Sequence, residues 1–331
     1  MAFVSRISHR TGAWGASALV VASALVMSAC SSGAISGRGT AQTAGSGPSS
    51  ATSTTSTTSA ASSPTPDAKP VHVALKFSDG SQFGIGIPII AYFSRRPTDA
   101  KPFVQATKVT VNGTVVQGGW YFETSSADPR YPIEAHYRLQ NYWPAHSHVH
   151  MDLPIKGLSA GSGLAYDDSL TSDFSIGASQ IAVVDDVSHT MTLTVDGHPE
   201  GTYPVSLGAT STRTRSGTKV IMEKVPTVCM HDTNGTYYEC GIKLDMRVTY
   251  DGEYLHAAPW NVYNITHGID SSNGCTNLLP SDAAKLYGLM EVGDVVQYPN
   301  ANGGKMQLGA GYGDWNLPWP LWETGGLIAT S

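Results

Sequence analysis

Short apolar runs that end in Asp-Gly or Asn-Gly recur along this chain, and that recurrence restricts its fold more than any other feature. Residues 71–77 run into Asp79-Gly80, residues 108–111 into Asn112-Gly113, and residues 190–195 into Asp196-Gly197. Such dipeptides tolerate the positive φ that a tight hairpin turn demands, so each pair of flanking runs reads as a β-hairpin. Further runs at 134–139, 149–153, 174–177, 180–185, 218–222, 243–250 and 254–256 extend the pattern. Only residues 282–290 show a convincing helical period, with Ala283, Leu286 and Met290 on one face, Ser281 as the expected cap and Asp282 at the positive end. The expected fold class is mainly β: a small β-sandwich over 71–173, then a β-rich region with one short helix. Trp315, Trp319 and Trp322, set among glycine and proline, read as a segment laid over that second region.

With 331 residues the chain has room for two domains. Charged residues are only 14% of it, against about 25% in ordinary soluble domains. The deficit has a local cause. Arg6 and Arg10 precede a charge-free apolar stretch that closes on Leu25-Val26-Met27-Ser28-Ala29-Cys30, the layout of a secretory signal. This ending resembles a bacterial lipoprotein signal, in which Cys30 becomes the first mature residue and carries lipid; Met27 stands where Leu is usual. Residues 31–66 are almost entirely Ser, Thr, Ala, Gly and Pro with Arg38 as the single charge, a composition too polar to build a core. The expected division is a signal at 1–29, a tether at 30–70, and a protein held by lipid to the outer face of the cell membrane, within the cell-wall space. A net charge of -6 with few Lys and Arg excludes nonspecific nucleic-acid binding.

Outside the cytoplasm thiols are normally paired. Besides Cys30 there are Cys229, Cys240 and Cys275. Asn234-Gly235 would turn a hairpin that brings Cys229 and Cys240 together as a disulfide, which leaves Cys275 as a free thiol. Gly274 lets backbone approach a ligand beside that thiol, and the amides of Gly274 and Cys275 are suited to an oxyanion. A nucleophilic cysteine needs an imidazole, and His256 and His267 are both near enough in sequence for spacing alone not to choose. His136, His146, His148 and His150 read as strand-surface residues; no metal site is expected.

His256-Ala257-Ala258-Pro259-Trp260 followed by Ser272-Asn273-Gly274-Cys275-Thr276-Asn277 resembles the active-site signature of the L,D-transpeptidases with a YkuD-type catalytic domain, in particular the mycobacterial and related actinobacterial branch. Asn141-Tyr142-Trp143-Pro144-Ala145, residues 203–208 and residues 313–319 resemble other parts of those proteins. The resemblance implies an immunoglobulin-like domain at 71–173, a catalytic domain at 174–300, and a C-terminal subdomain at 301–331 packed on the catalytic domain. It makes Cys275 the nucleophile and His256 the general base, oriented by the backbone carbonyl of Ala257, with Gly274 contributing to the oxyanion hole. Tyr237, Tyr238, Trp260, Asn273, Thr276 and Asn277 fall at substrate-contacting positions. The family usually has His where this chain has Asn273, and His267 is expected to occupy part of the vacated space.

The implied activity is cross-linking of peptidoglycan tetrapeptide stems through a cysteine thioester, giving 3→3 links between diaminopimelate residues, with carbapenems as covalent inhibitors and no metal or organic cofactor. The alternatives are an L,D-carboxypeptidase outcome, with water as acceptor, or a catalytically weak wall-binding lipoprotein.

Overall fold

The computed structural model describes residues 67–231 and 238–330. The signal, Cys30, most of the tether, Tyr237 and the Asn234-Gly235 turn lie outside the described residues. Among the described residues no helix is long and apolar enough to cross a membrane.

The first region is a two-sheet sandwich. One sheet holds four strands in the order Val73–Leu75, Ile89–Phe93, Ile133–Leu139, Gly118–Thr124; the other holds five in the order Ser81–Phe83, Leu170–Ile176, Ser147–Leu153, Lys108–Val111, Thr114–Val115. Ser147–Leu153 buries every second residue, as a strand with one solvated face should. Between the sheets Phe93, Phe103, Trp120, Phe122 and Tyr166 pack at ring-centroid distances of 5.0 to 6.0 Å. Asn112 and Gly113 have φ of 49° and 78°, and Asp196 and Gly197 have 50° and 79°, so both dipeptides adopt the left-handed turn conformation.

The second region is built on a nine-stranded sheet. Four neighbouring strands matter for chemistry: the hairpin Glu223–His231 and Tyr238–Arg247, then Tyr254–Ala257, then Thr276–Leu278, which runs parallel to Tyr254–Ala257. The helix Pro280–Leu289 packs beside them and buries Ala283 and Leu286. Its N-cap is Leu279 without a side-chain cap bond, so Ser281 lies inside the first turn. Pro280, with its fixed φ and missing N–H, starts the helix in place of the expected serine cap.

The two regions share one apolar core. Val220, Met222, Val295, Tyr312 and Ile328 cluster with the sandwich residues. Gly84 and Gly86 donate backbone hydrogen bonds to Val292 and Gly293 at 2.8 Å. A β-carbon on Gly84 would fall 2.2 Å from Asp294 Oδ1, so this approach requires glycine.

Two expectations need correction here. The C-terminal segment packs on both regions and not on the second alone: Met306 N–H donates to the Ser216 carbonyl at 2.9 Å and Asn316 Nδ2 to the Thr218 carbonyl at 2.7 Å, whereas on the sandwich Trp322 Nε1 donates to the Gly119 carbonyl at 2.8 Å, and Gly325 and Leu327 hydrogen-bond to Phe122. What draws it there is Arg138, 2% exposed, whose guanidinium lies under the rings of Trp315, Trp319 and Trp322. His136, expected at a strand surface, is 1% exposed. Its Nδ1 meets Asp314 Oδ1 at 2.9 Å, and its Nε2 lies 3.7 Å from both Glu123 and Glu134. Asp314 is 178 residues away, so nothing in the local sequence announced the pairing. His146, His148 and His150 do lie at or near the surface, each beside an aspartate.

Candidate active site

Parallel pairing places Leu255 opposite Thr276 and His256 opposite Asn277. Paired residues of parallel strands point to one face and successive residues alternate. Leu255, Ala257 and Leu278 therefore enter the core, whereas Tyr254, His256, Cys275 and Asn277 share the other face. The hairpin covers this face, where Met230 and Ile242 pack with Tyr254 and Cys275. Cys229 and Cys240, opposite each other in the hairpin, form a disulfide, and Cys275 is the free cysteine among the described residues.

His256 is buried, and its Nδ1 lies 3.0 Å from the carbonyl oxygen of Ala257. A carbonyl only accepts, so Nδ1 carries the proton and Nε2 of the neutral ring is left as the base. Burial lowers the imidazole's pKa, the Ala257 bond and Glu239 opposing it only in part. The Trp260 ring stacks over it at 5.9 Å and is itself exposed.

The Cys275 thiol donates to the Gly252 carbonyl at 3.6 Å. Burial pushes its pKa up to about 12; a backbone hydrogen bond from Tyr254 and the charge of Lys219 favour the thiolate, while Glu253 and Asp245 disfavour it. Asp245, fully buried on the hairpin, is itself pushed up to about 7 by burial. Burial thus disfavours both the thiolate and the imidazolium on this face of the sheet.

The loop before Cys275 is held by hydroxyls. Ser272 Oγ donates to the Cys275 carbonyl at 2.7 Å and accepts from the Gly274 amide at 3.2 Å; Thr212 and Thr214 donate to the carbonyls of Ser272 and Gly274. Gly274 has φ of 109°, a conformation that favours glycine. Its amide already donates to Ser272 Oγ, a bond that competes with any oxyanion for this donor.

The remaining expected site residues separate. Asn277 is buried beside His256 on the reactive face. Thr276 is not a substrate contact: it points into the core, where its hydroxyl hydrogen-bonds Tyr298 at 2.8 Å, as alternation requires of the residue after Cys275. Asn273 and Tyr238 are exposed. Asn273 lines an open cleft of about 480 Å³ together with Gly274, Thr212, Arg213, Arg215 and Asp251. His267 does not fill space beside Asn273; it is exposed, stacked on Tyr263 at 4.0 Å, with Nδ1 bonded to the Tyr263 carbonyl.

Residues 179–297 match the YkuD family, described as the L,D-transpeptidase catalytic domain, and residues 37–159 match a bacterial Ig domain. This chain carries an L,D-transpeptidase catalytic domain. It is homologous to mycobacterial L,D-transpeptidases: it is 28% identical over 274 residues to L,D-transpeptidase 2 of Mycobacterium tuberculosis, covering 79% of this chain and 64% of the relative. With L,D-transpeptidase 5 of the same species it shares 27% over 260 residues, 77% of this chain and 56% of the relative. The chain thus spans less than two thirds of the length of these curated relatives. An L,D-transpeptidase from Mycobacterium smegmatis superposes with a TM-score of 0.53 at 27% identity, covering 70% of this chain and all of that one. The L,D-transpeptidase LdtMt1, solved in complex with imipenem, gives 0.54 at 26%, covering 69% and 98%. Within this L,D-transpeptidase fold, sequence reasoning missed Gly252, Ser272 and the buried pair Lys219–Glu253, whose partners come from separate loops and strands.

Proposed function

We propose that this chain is a peptidoglycan L,D-transpeptidase that joins tetrapeptide stems by 3→3 links between diaminopimelate residues. The observation that carries the reading is the His256 ring, its tautomer fixed by the Ala257 carbonyl, on the same sheet face as the buried Cys275 thiol. When a stem enters, the thiol proton passes to His256 Nε2 as sulfur attacks the carbonyl between the L-centre of diaminopimelate and terminal D-Ala. The amide C–N bond breaks, the imidazolium returns the proton to the departing D-Ala amine, and a thioester remains. The side-chain amine of a second stem, approaching along the cleft at Asn273, attacks the thioester; His256 takes its proton and passes it to the leaving sulfur. The Cys275 amide stabilises the oxyanion in both halves. A carbapenem acylates the same sulfur, as the imipenem complex of the relative suggests.

Incubation with a disaccharide-tetrapeptide tests this. The expected products are free D-Ala and a dimer whose mass equals two stems less one D-Ala. D-Ala release without a dimer would make the protein a carboxypeptidase, and release by Cys275→Ala would overturn the assignment. We further read Cys30 as a lipid attachment site that holds the enzyme outside the cell membrane. Palmitate labelling that is absent from the parent, or that persists in Cys30→Ala, would contradict that placement.

A further inference from the structure

Behind the nucleophile lies a buried charge pair that the reaction does not use directly. Lys219, 0% exposed, makes an ion pair with Glu253 Oε2. The ammonium also sits 3.8 Å from the centroid of Tyr298, whose hydroxyl bonds Thr276. Glu253 Oε1 accepts the Arg215 amide at 2.9 Å, and Arg215 pairs in turn with Asp251. Both carboxylates flank Gly252, whose carbonyl accepts the Cys275 thiol. The Glu253 side chain also packs on the loop before the nucleophile: its Cγ is 3.6 Å from where a β-carbon of Gly274 would be. A buried ion pair is a poor source of net stability, and its retention calls for another role.

We propose that Lys219 and Glu253 are positioning residues for the nucleophile: their pair anchors the turn that presents the Gly252 carbonyl to the thiol, and Lys219 supplies the cation that balances Glu253 there. The proposal rests on Cys275 being the reactive thiol, as in the function proposed above. Asn273 brings no charge to this loop, whereas the Lys219 charge favours the thiolate and the Glu253 charge opposes it. Removing Lys219 alone leaves the Glu253 carboxylate, whose charge opposes the thiolate, without its cation; removing both leaves neither charge and no anchor.

The test measures Cys275 alkylation by iodoacetamide against pH in the full chain, with acylation by imipenem in parallel. Lys219→Met is expected to move the alkylation profile to higher pH, slowing the reaction at pH 9 about tenfold, because only the thiolate reacts. Lys219→Met with Glu253→Gln is expected to return alkylation to within about twofold of the parent while acylation stays about tenfold slower. A pair with only a structural role would loosen the loop alike in both variants and speed alkylation. Unchanged or faster alkylation in Lys219→Met, or parental acylation in the double variant, would overturn the proposal. If the single variant does not fold, the double variant decides through the split between its two rates. Alkylation needs no substrate: a parent that alkylates but never acylates would refute the proposed function while the pH profiles still judged the pair.

Discussion

Among the described residues two histidines are buried, and their neighbours give them opposite electrostatics. His256 faces a neutral carbonyl and a stacked indole, so burial wins and the ring stays neutral. His136 is more deeply buried, yet Asp314, Glu134 and Glu123 together outweigh the burial and hold it well above its ordinary value as a cation. One ring is therefore disposed to stay neutral, as the base we propose must; the other is a charge joining the sandwich to the C-terminal segment. Burial alone did not determine the role. The charge of the first neighbour did.

Substitution should separate the two. His256→Gln is expected to slow imipenem acylation by about 10²–10⁴-fold, the usual contribution of a general base, with the folded fraction preserved. Acylation within threefold of the parent would remove His256 from the mechanism. His136→Gln should destabilise the protein by about 3–5 kcal/mol in urea titrations, because it strands buried carboxylates without their cation. Its folded molecules should acylate at the parental rate.

The pH dependence of stability should differ in sign. With its folded pKa raised, His136 contributes stability that is fully present below about 6.5, the unfolded value, and lost as pH rises through the folded one. Glu123, pushed up to about 7 chiefly by burial, makes the folded state bind the extra proton between its unfolded value and about 7, so stability falls there too. His256, with its pKa lowered, acts the other way: stability rises with pH up to about 6.5. The gap between thermal melts of parent and His136→Gln should narrow as pH rises above about 6.5. A gap that widened with pH would break the comparison. The smallest effect is expected at Asn273→His, whose side chain is exposed in the cleft. Acylation should change by less than about threefold, and a tenfold gain would mean the asparagine limits the site.

The two histidines also mark how far the sequence could be read. His256 and Cys275 lie on adjacent strands only 19 residues apart, within one motif whose glycine, proline and tryptophan have local reasons to be there. The hairpin turns were equally legible, since Asn112-Gly113 and Asp196-Gly197 carry their conformation in their own chemistry. His136 was misread because its strand neighbours say nothing of Asp314. Thr276 was misread because a motif gives positions and not the face each side chain takes. Lys219 and Glu253 were invisible for the same reason as Asp314: buried charges are matched across the fold, where only packing brings them together. Ser281 failed as a cap because Pro280 begins the helix two residues earlier than the expected start at Asp282.

Whether Cys275 is an acyl-accepting nucleophile served by His256 is decided by intact-mass and peptide mapping of the protein after incubation with a disaccharide-tetrapeptide. A transient adduct of the stem less D-Ala is expected on the Cys275 peptide, absent from Cys275→Ala and accumulating far more slowly in His256→Gln. An adduct on another residue, or one that forms at the parental rate without His256, would contradict it.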